Sequence, residues 1–202
     1  QVIPLAVESY SFAVDRAPTN PTYRLELAKL YLRQANELSE LGDAEEVQLG
    51  REFAIDAAQE QLIRAQELRP QLAGVSYYLA QVYRQRGNLD RALETLTSAY
   101  AETPNDTFVA LQYGVLLLEQ DQTENALNVL ETLVTENPDL SNARWYLAYA
   151  YEQTGSLEQA IDQLEQIRLQ NPENEELLRR IEEVRSQSVP FGPEIPEPII
   201  EG

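Results

Sequence analysis

The chain has 202 residues, of which 43% are hydrophobic and 24% charged, a composition that supports a folded core rather than a disordered coil. Its 34 acidic residues outnumber its 15 basic ones and give a net charge of -19, so phosphate backbones and anionic lipid surfaces would repel it. Cysteine, histidine and methionine are absent, and we therefore expect no disulfide, no metal site, no cofactor and no histidine-dependent nucleophile.

The first element, residues 1–18, is predicted to be a single helix that ends before Pro18. Ala6, Tyr10 and Ala13 are three and four residues apart and therefore share one helical face. The same spacing before a proline recurs in the second half of each later repeat, so we interpret this element as half a repeat. The missing initiator methionine indicates that Gln1 is a processed terminus or the edge of a fragment.

Residues 19–70 are predicted to form one long helical hairpin, because a first-helix pattern at 24–31 and a second-helix pattern at 58–65 lie far apart. Tyr31 and Ala58 are separated by 27 positions, whereas the corresponding residues of the next repeat, Tyr83 and Ala92, are separated by 9. The difference predicts that both helices gain about two and a half turns. The turn between them is expected at Gly42-Asp43, with the aspartate capping the second helix.

Residues 71–172 contain three regular repeats of 34 residues: 71–104, 105–138 and 139–172. The prolines that close the repeats recur at the same interval, at Pro70, Pro104, Pro138 and Pro172. A period of this length is typical of stacked two-helix units.

Each regular repeat carries one small residue on its first helix and one on its second. These are Ala80 with Ala92, Gly114 with Ala126, and Ala148 with Ala160. Small residues let two helices cross at close range, so each pair predicts a tight hairpin. Gly87 and Gly155 are expected at the turns, because glycine takes the left-handed conformation that ends a helix, and Asp121 occupies this place in the second repeat.

This set of small and large residues at fixed offsets resembles the tetratricopeptide repeat family. The family often has a bulky aromatic residue at the start of the first helix, where this chain has Ser76, Ala110 and Arg144. The resemblance implies an all-α fold, a right-handed solenoid of helical hairpins.

In the family, the first helices line a concave groove that holds an extended peptide or a partner helix. The resemblance implies that ten side chains of this chain face such a groove: Tyr77, Gln81, Arg84, Phe108, Leu111, Val115, Leu118, Trp145, Tyr149 and Glu152. A groove of this aromatic and aliphatic character suits an apolar or proline-rich segment. The alternative is that these side chains bury one another at the repeat interfaces.

The chain ends in a predicted capping helix, 173–187, and a proline-rich tail, 188–202. The helix places Glu182 where the repeats have a small residue and carries apolar residues on one face: Leu177, Leu178, Ile181 and Val184. The tail has four prolines, which favour an extended polyproline conformation. Its predicted anchors, on the chain's own groove or on a neighbour's, are Phe191, Ile195, Ile199 and Ile200.

The leading interpretation is a non-enzymatic scaffold that binds a protein or peptide. The alternative is a structural subunit of an extracellular filament, which would assemble head-to-tail through its terminal half repeats and its C-terminal tail. The half repeat 1–18 of one copy could pair with the capping helix of another. The carboxylates lie on charged helix surfaces without an apolar pocket to raise a pKa, so no catalytic site is expected. No apolar run approaches the roughly 18 residues of a membrane span, so we expect neither membrane insertion nor a nucleic acid partner.

Two features bear on where the chain acts. The layout, a repeat tract followed by a capping helix and an acidic proline-rich tail, resembles the soluble ends of some bacterial membrane proteins of surface-polysaccharide assembly. Together with the missing methionine, this resemblance favours an extracytoplasmic or secreted bacterial location, and a cytoplasmic one stays open. Asn105-Asp106-Thr107 is a formal glycosylation sequon in an inter-repeat turn, so Asn105 is a candidate modification site.

Overall fold

The computed structural model describes residues 2–42, 44–72, 74–186 and Pro198, and this part of the chain contains α-helices and no strand. The helices are, in chain order, α1 (Val2–Arg16), α2 (Pro21–Glu40), α3 (Glu45–Leu68), α4 (Val75–Gln85), α5 (Leu89–Glu102), α6 (Thr107–Glu119), α7 (Thr123–Glu136), α8 (Ser141–Gln153), α9 (Leu157–Gln170) and α10 (Glu175–Ser186). The fold is all-α, as the sequence predicts.

The chain divides into two compact units, Gln1–Ser98 and Ala99–Gly202, and the boundary falls within α5. The first unit has a core built by α2, α3 and α4, in which the small residues Ala28, Ala58 and Ala65 are fully buried. The second unit contains a core cluster from α8, α9 and α10, in which Leu164 and Ile167 are fully buried.

The helix ends follow the periodic prolines. Each of four helices stops two residues before one of them: α3 before Pro70, α5 before Pro104, α7 before Pro138 and α9 before Pro172. Proline lacks the N–H that a further helical turn would need. The second helices therefore end at the same interval at which the prolines recur in the sequence. At the opposite end of the regular hairpins, Gly87, Asp121 and Gly155 all have a left-handed φ, of 69°, 55° and 76°. Asp121 therefore adopts the backbone conformation of the glycines that it replaces.

Gly114 shows how closely the helices of one hairpin approach. A Cβ atom built on Gly114 of α6 would lie 2.8 Å from Cδ2 and 3.0 Å from Cγ of Leu130 on α7. Leu130 is fully buried, so its side chain has little room to move. This contact is the close crossing that the sequence predicts from the small residues.

The long hairpin predicted at residues 19–70 is formed by α2, of 20 residues, and α3, of 24 residues, against 13 and 14 for α6 and α7. Gly42 ends the first of these helices with a φ of +99°. The N-cap of α3 is Ala44, which makes no side-chain capping bond, and Asp43 lies outside the described residues.

The first and last helices, α1 and α10, each pack against the helix next to them in the chain. Helix α1 buries Ile3 and Val14 and packs against α2. Helix α10 buries Leu177, Ile181 and Val184 in the core of the second unit. Leu178, predicted on the same face, is instead 41% exposed, because it lies about 100° around the helix from Leu177.

Candidate peptide-binding face

The predicted groove residues of the second unit come from two neighbouring first helices. Helix α6 contributes Phe108, Leu111, Val115 and Leu118, and α8 contributes Trp145, Tyr149 and Glu152. The two helices are in contact. We call these seven side chains the first-helix face.

The α6 half of the first-helix face is partly open. Phe108 is 40% exposed and Val115 is half-buried, whereas Leu111 between them is only 9% exposed. The three residues are spaced three and four apart and lie on one side of the helix. We call Phe108, Leu111 and Val115 the α6 strip, an apolar strip in which Leu111 is the buried residue. Leu118, 5% exposed, lies one turn further along the helix.

The α8 half of the face is closed, which differs from the expectation of an open trough. Trp145 is 2% exposed and belongs to the core that includes Leu177 and Ile181 of α10. Tyr149 is 5% exposed, and burial together with the charges of Asp121 and Glu152 raises the pKa of its hydroxyl. Both side chains are buried, and for Trp145 the alternative interpretation, burial at an interface between repeats, describes the structure better.

Glu152 is held by a buried ion pair with Arg180 of α10. The Arg180 Nη2 atom donates to both carboxylate oxygens, at 2.7 and 2.5 Å, and the two side chains are only 3% and 8% exposed. Arg180 Nη1 also donates to Glu183 at 3.2 Å. The carboxylate predicted at the edge of the groove thus serves to attach the capping helix.

Sequence reasoning missed Arg180. It follows Leu177 by three positions and precedes Ile181 and Val184, so it stands within the apolar stripe of α10. A charged residue in such a stripe indicates a buried partner, and that signal was available in the sequence.

The predicted groove residues of the first unit lie on α4. Gln81 Nε2 donates to the hydroxyl of Tyr77, and the Tyr77 ring meets the ring of Tyr78 edge-on, with centroids 4.9 Å apart. Both Tyr77 and Gln81 are half-buried, while Arg84 is exposed. This surface is more polar than the one on α6.

Of the two remaining predicted sites, the structure describes the glycosylation sequon but not the tail anchors. The tail anchors Phe191, Ile195, Ile199 and Ile200 lie outside the described residues. Asn105 is exposed in the turn before α6, where the next residue, Asp106, caps the helix by accepting from the N–H groups of Phe108 and Val109 at 3.0 Å. Asn105 is accessible, and its glycosylation stays a prediction.

The part of the chain that the structure describes shows neither a metal-binding cluster nor a membrane-spanning helix. Among the described residues, no cluster of acidic side chains is arranged to hold a metal ion. None of the described helices is both long enough and apolar enough to cross a bilayer.

The stacked helical hairpins match profiles of a known protein family. Two profiles of the tetratricopeptide repeat match residues 47–107 and 117–181, which together are more than half of the chain. The chain belongs to the tetratricopeptide repeat family. A curated member, the TPR repeat-containing protein YpiA of Bacillus subtilis, is 30% identical over 79 residues, which are 39% of this chain and 19% of that protein.

Solved tetratricopeptide repeat structures share the fold. TTC0263 of Thermus thermophilus gives a TM-score of 0.65 at 21% identity, covering 91% of each chain. YrrB gives 0.60 at 18% identity, covering 90% of this chain and 95% of its own, and MamA gives 0.60 at 17% identity, covering 92% and 91%. Tetratricopeptide repeat proteins are generally non-enzymatic, and the fold suggests a scaffold for protein–protein interaction.

Proposed function

We propose that this chain is a non-enzymatic scaffold whose α6 strip binds an extended apolar or proline-rich segment of a protein. The observation that carries the proposal is the exposure of Phe108, at 40%, beside the half-buried Val115 and above the buried Leu111. An exposed aromatic ring beside a buried apolar side chain offers apolar surface that is favourably removed from water when a ligand binds. It is the part of the first-helix face that a guest can reach without displacing a helix.

The chemistry of the strip favours an extended segment containing proline. A phenylalanine ring stacks on flat pyrrolidine rings, and a polyproline segment loses little conformational entropy on binding. The half-buried Val115, two helical turns away, provides a second apolar contact at about 10 Å along the helix. In support, YrrB, which shares the fold, is described as having an unusual peptide-binding site.

The chain's own tail supplies a segment of the required kind. Residues 188–202 contain four prolines together with Phe191, Ile195, Ile199 and Ile200. We propose these four side chains as anchors, either in the same molecule or in a second copy.

A labelled peptide of residues 188–202 tests the proposal. Fluorescence anisotropy would follow its binding to the chain shortened after residue 187, which keeps every described helix. We expect saturable binding that Phe108→Ser weakens about tenfold, equivalent to about 1.4 kcal/mol. The control is Leu169→Ser on α9, because Leu169 is 71% exposed and lies outside the strip. Equal affinity of both variants would contradict the proposal.

The filament alternative is not favoured by the packing of α10. Head-to-tail pairing would set a second helix against Glu182, whose side chain is 76% exposed and occupies the position of Gly114 in the repeat. At Gly114 even a Cβ atom would approach Leu130 to 2.8 Å, so a glutamate would hold the helices apart. We therefore place self-assembly second, and light scattering over a concentration series separates the two functions.

A further inference from the structure

The extra turns of the α2–α3 hairpin carry a surface that the regular repeats lack. Helix α3 begins thirteen residues before Ala58, whereas α5 begins three residues before the corresponding Ala92. The N-terminal extension of α3 is therefore residues 45–54. Within it, Leu49 is 60% exposed and Phe53 is 66% exposed.

Leu49 and Phe53 form one patch. They are four residues apart, so their side chains lie next to each other on the same face of α3. About 100° around the helix, α3 packs against α2: a Cβ atom built on Gly50 would lie 3.4 Å from Cδ1 of Leu38, and Ala54 is fully buried. The hairpin thus keeps its core inside and still presents two large apolar side chains to solvent. We call Leu49 and Phe53 the hairpin patch.

Polar contacts join the α2–α3 hairpin to the C-terminal end of α4. The side chain of Gln85 donates to Asn36 Oδ1 at 2.8 Å, and Arg51 lies 3.5 Å from the Gln85 carbonyl oxygen. Arg86 forms an ion pair with Asp56. These ties join both helices of the hairpin to the end of the next helix, so the hairpin patch is held on an anchored element.

The surroundings of the hairpin patch are acidic. Residues 36–56 contain seven carboxylates and one arginine. Glu45, Glu46 and Glu52 are exposed and lie three or four residues from Leu49, and no ion pair engages them within the described residues. Apolar side chains at the centre and negative charges at the rim favour a ligand that has apolar side chains flanked by positive charges.

We infer that the hairpin patch binds an amphipathic helical segment of a partner protein, with leucine-like side chains flanked by lysine or arginine. The carboxylate rim repels nucleic acid phosphates and anionic lipid headgroups, which leaves a basic polypeptide as the complementary class. An amphipathic helix presents apolar side chains at spacings of three and four, which match Leu49 and Phe53. The inference does not depend on the α6 strip, which lies in the other unit.

The test uses the full chain and a synthetic helical peptide of leucine and lysine as the probe. We expect it to bind with an affinity that falls as salt is added, and to shift the amide NMR signals of residues 45–56. The double variant Leu49→Gln with Phe53→Gln should bind at least about tenfold more weakly. Its matched control is Leu5→Gln with Phe12→Gln on α1, because these residues are 66% and 61% exposed and the pair has the same chemistry.

A second variant separates charge from apolar contact. Glu45→Gln, Glu46→Gln and Glu52→Gln together should weaken binding and reduce its salt dependence, while circular dichroism shows unchanged helix content. Three results would overturn the inference: equal binding of the hairpin patch variant and its control, no binding at millimolar probe, or equal binding of a leucine and glutamate peptide. Self-association that the patch variant abolishes, or binding to phosphatidylglycerol vesicles, would also overturn it by assigning another occupant.

Discussion

Arg24 and Arg144 make the same two hydrogen bonds in two different repeats. In each case Nε donates to the carbonyl oxygen of the proline that closes the preceding repeat, and Nη1 donates to a glutamine on the second helix of its own hairpin. The distances are 3.0 and 2.7 Å for Arg24 with Pro18 and Gln61, and 2.8 and 2.5 Å for Arg144 with Pro138 and Gln163. A guanidinium thus joins three chain segments at the position where the family often has an aromatic ring.

Replacing Arg144 with lysine should therefore destabilise the second unit. Lysine has no planar fork and cannot reach both acceptors, so we expect a loss of about 1 to 2 kcal/mol in the free energy of unfolding. Urea denaturation followed by circular dichroism measures it. Arg179→Lys is the control, since the Arg179 side chain is 65% exposed. Equal stability of the two variants would show that the two hydrogen bonds of the Arg144 guanidinium do not contribute to the free energy of unfolding.

Enlarging Gly114 should open the α6–α7 hairpin. Valine at this position would force Leu130 out of its buried site, where a Cβ alone comes within 2.8 Å. We expect a loss of about 3 kcal/mol, at the upper end for overpacking. The same denaturation experiment measures it, with Gly155→Ala as a comparison that strains a left-handed turn without a close contact. A Gly114→Val protein as stable as the wild type would rule out the close crossing.

The Arg180–Glu152 pair should behave as a coupled unit. Arg180→Met leaves the Glu152 carboxylate buried without its partner, at a cost of about 3 to 5 kcal/mol. Adding Glu152→Gln removes that charge, so the double variant should be more stable than the Arg180→Met single variant. A double-mutant cycle on unfolding free energies gives the coupling. If the unfolding free energy lost in the double variant equals the sum of the losses in the two single variants, a direct ion pair would be contradicted.

Tyr151 should make stability fall at alkaline pH. Burial, followed by the hydrogen bond that its hydroxyl donates to Glu131 at 2.7 Å, raises its pKa from 10.0 to about 12. The unfolded chain loses this proton first, so the contribution is complete below pH 10 and is lost as pH rises towards about 12. Across that interval Tyr151→Phe should lose less unfolding free energy than the wild type. Parallel declines of the two proteins would show that Tyr151 has no role.

Features repeated along the sequence could be predicted, and features made by one neighbouring helix could not. The prolines, the small residues and the turn glycines fix each hairpin locally, so the helix ends and the left-handed Asp121 followed from the spacing. Trp145 looked like a groove residue because its position is one in the family. Its burial depends on how α10 packs, and a single first-helix pattern carries no information on that packing.

The charged residues likewise include features that the sequence predicts and features that it does not. Sequence alone indicated an acidic surface, but not which carboxylate would be buried. Glu152 and Glu183 are both charged residues on helices, yet only Glu152 has a side chain as little as 3% exposed, because Arg180 reaches it from α10. Pairings across helices depend on rotamers and distances that a spacing pattern does not specify.

Photo-cross-linking from position 108 tests the central claim most directly. The photoreactive residue p-benzoylphenylalanine would replace Phe108 on the α6 strip in one protein and Asn128, exposed on α7, in another. With the peptide of residues 188–202 present, irradiation should give a cross-linked product from position 108 that excess unlabelled peptide suppresses, and none from position 128. The same yield from both positions, or none from position 108, would contradict a binding site on α6.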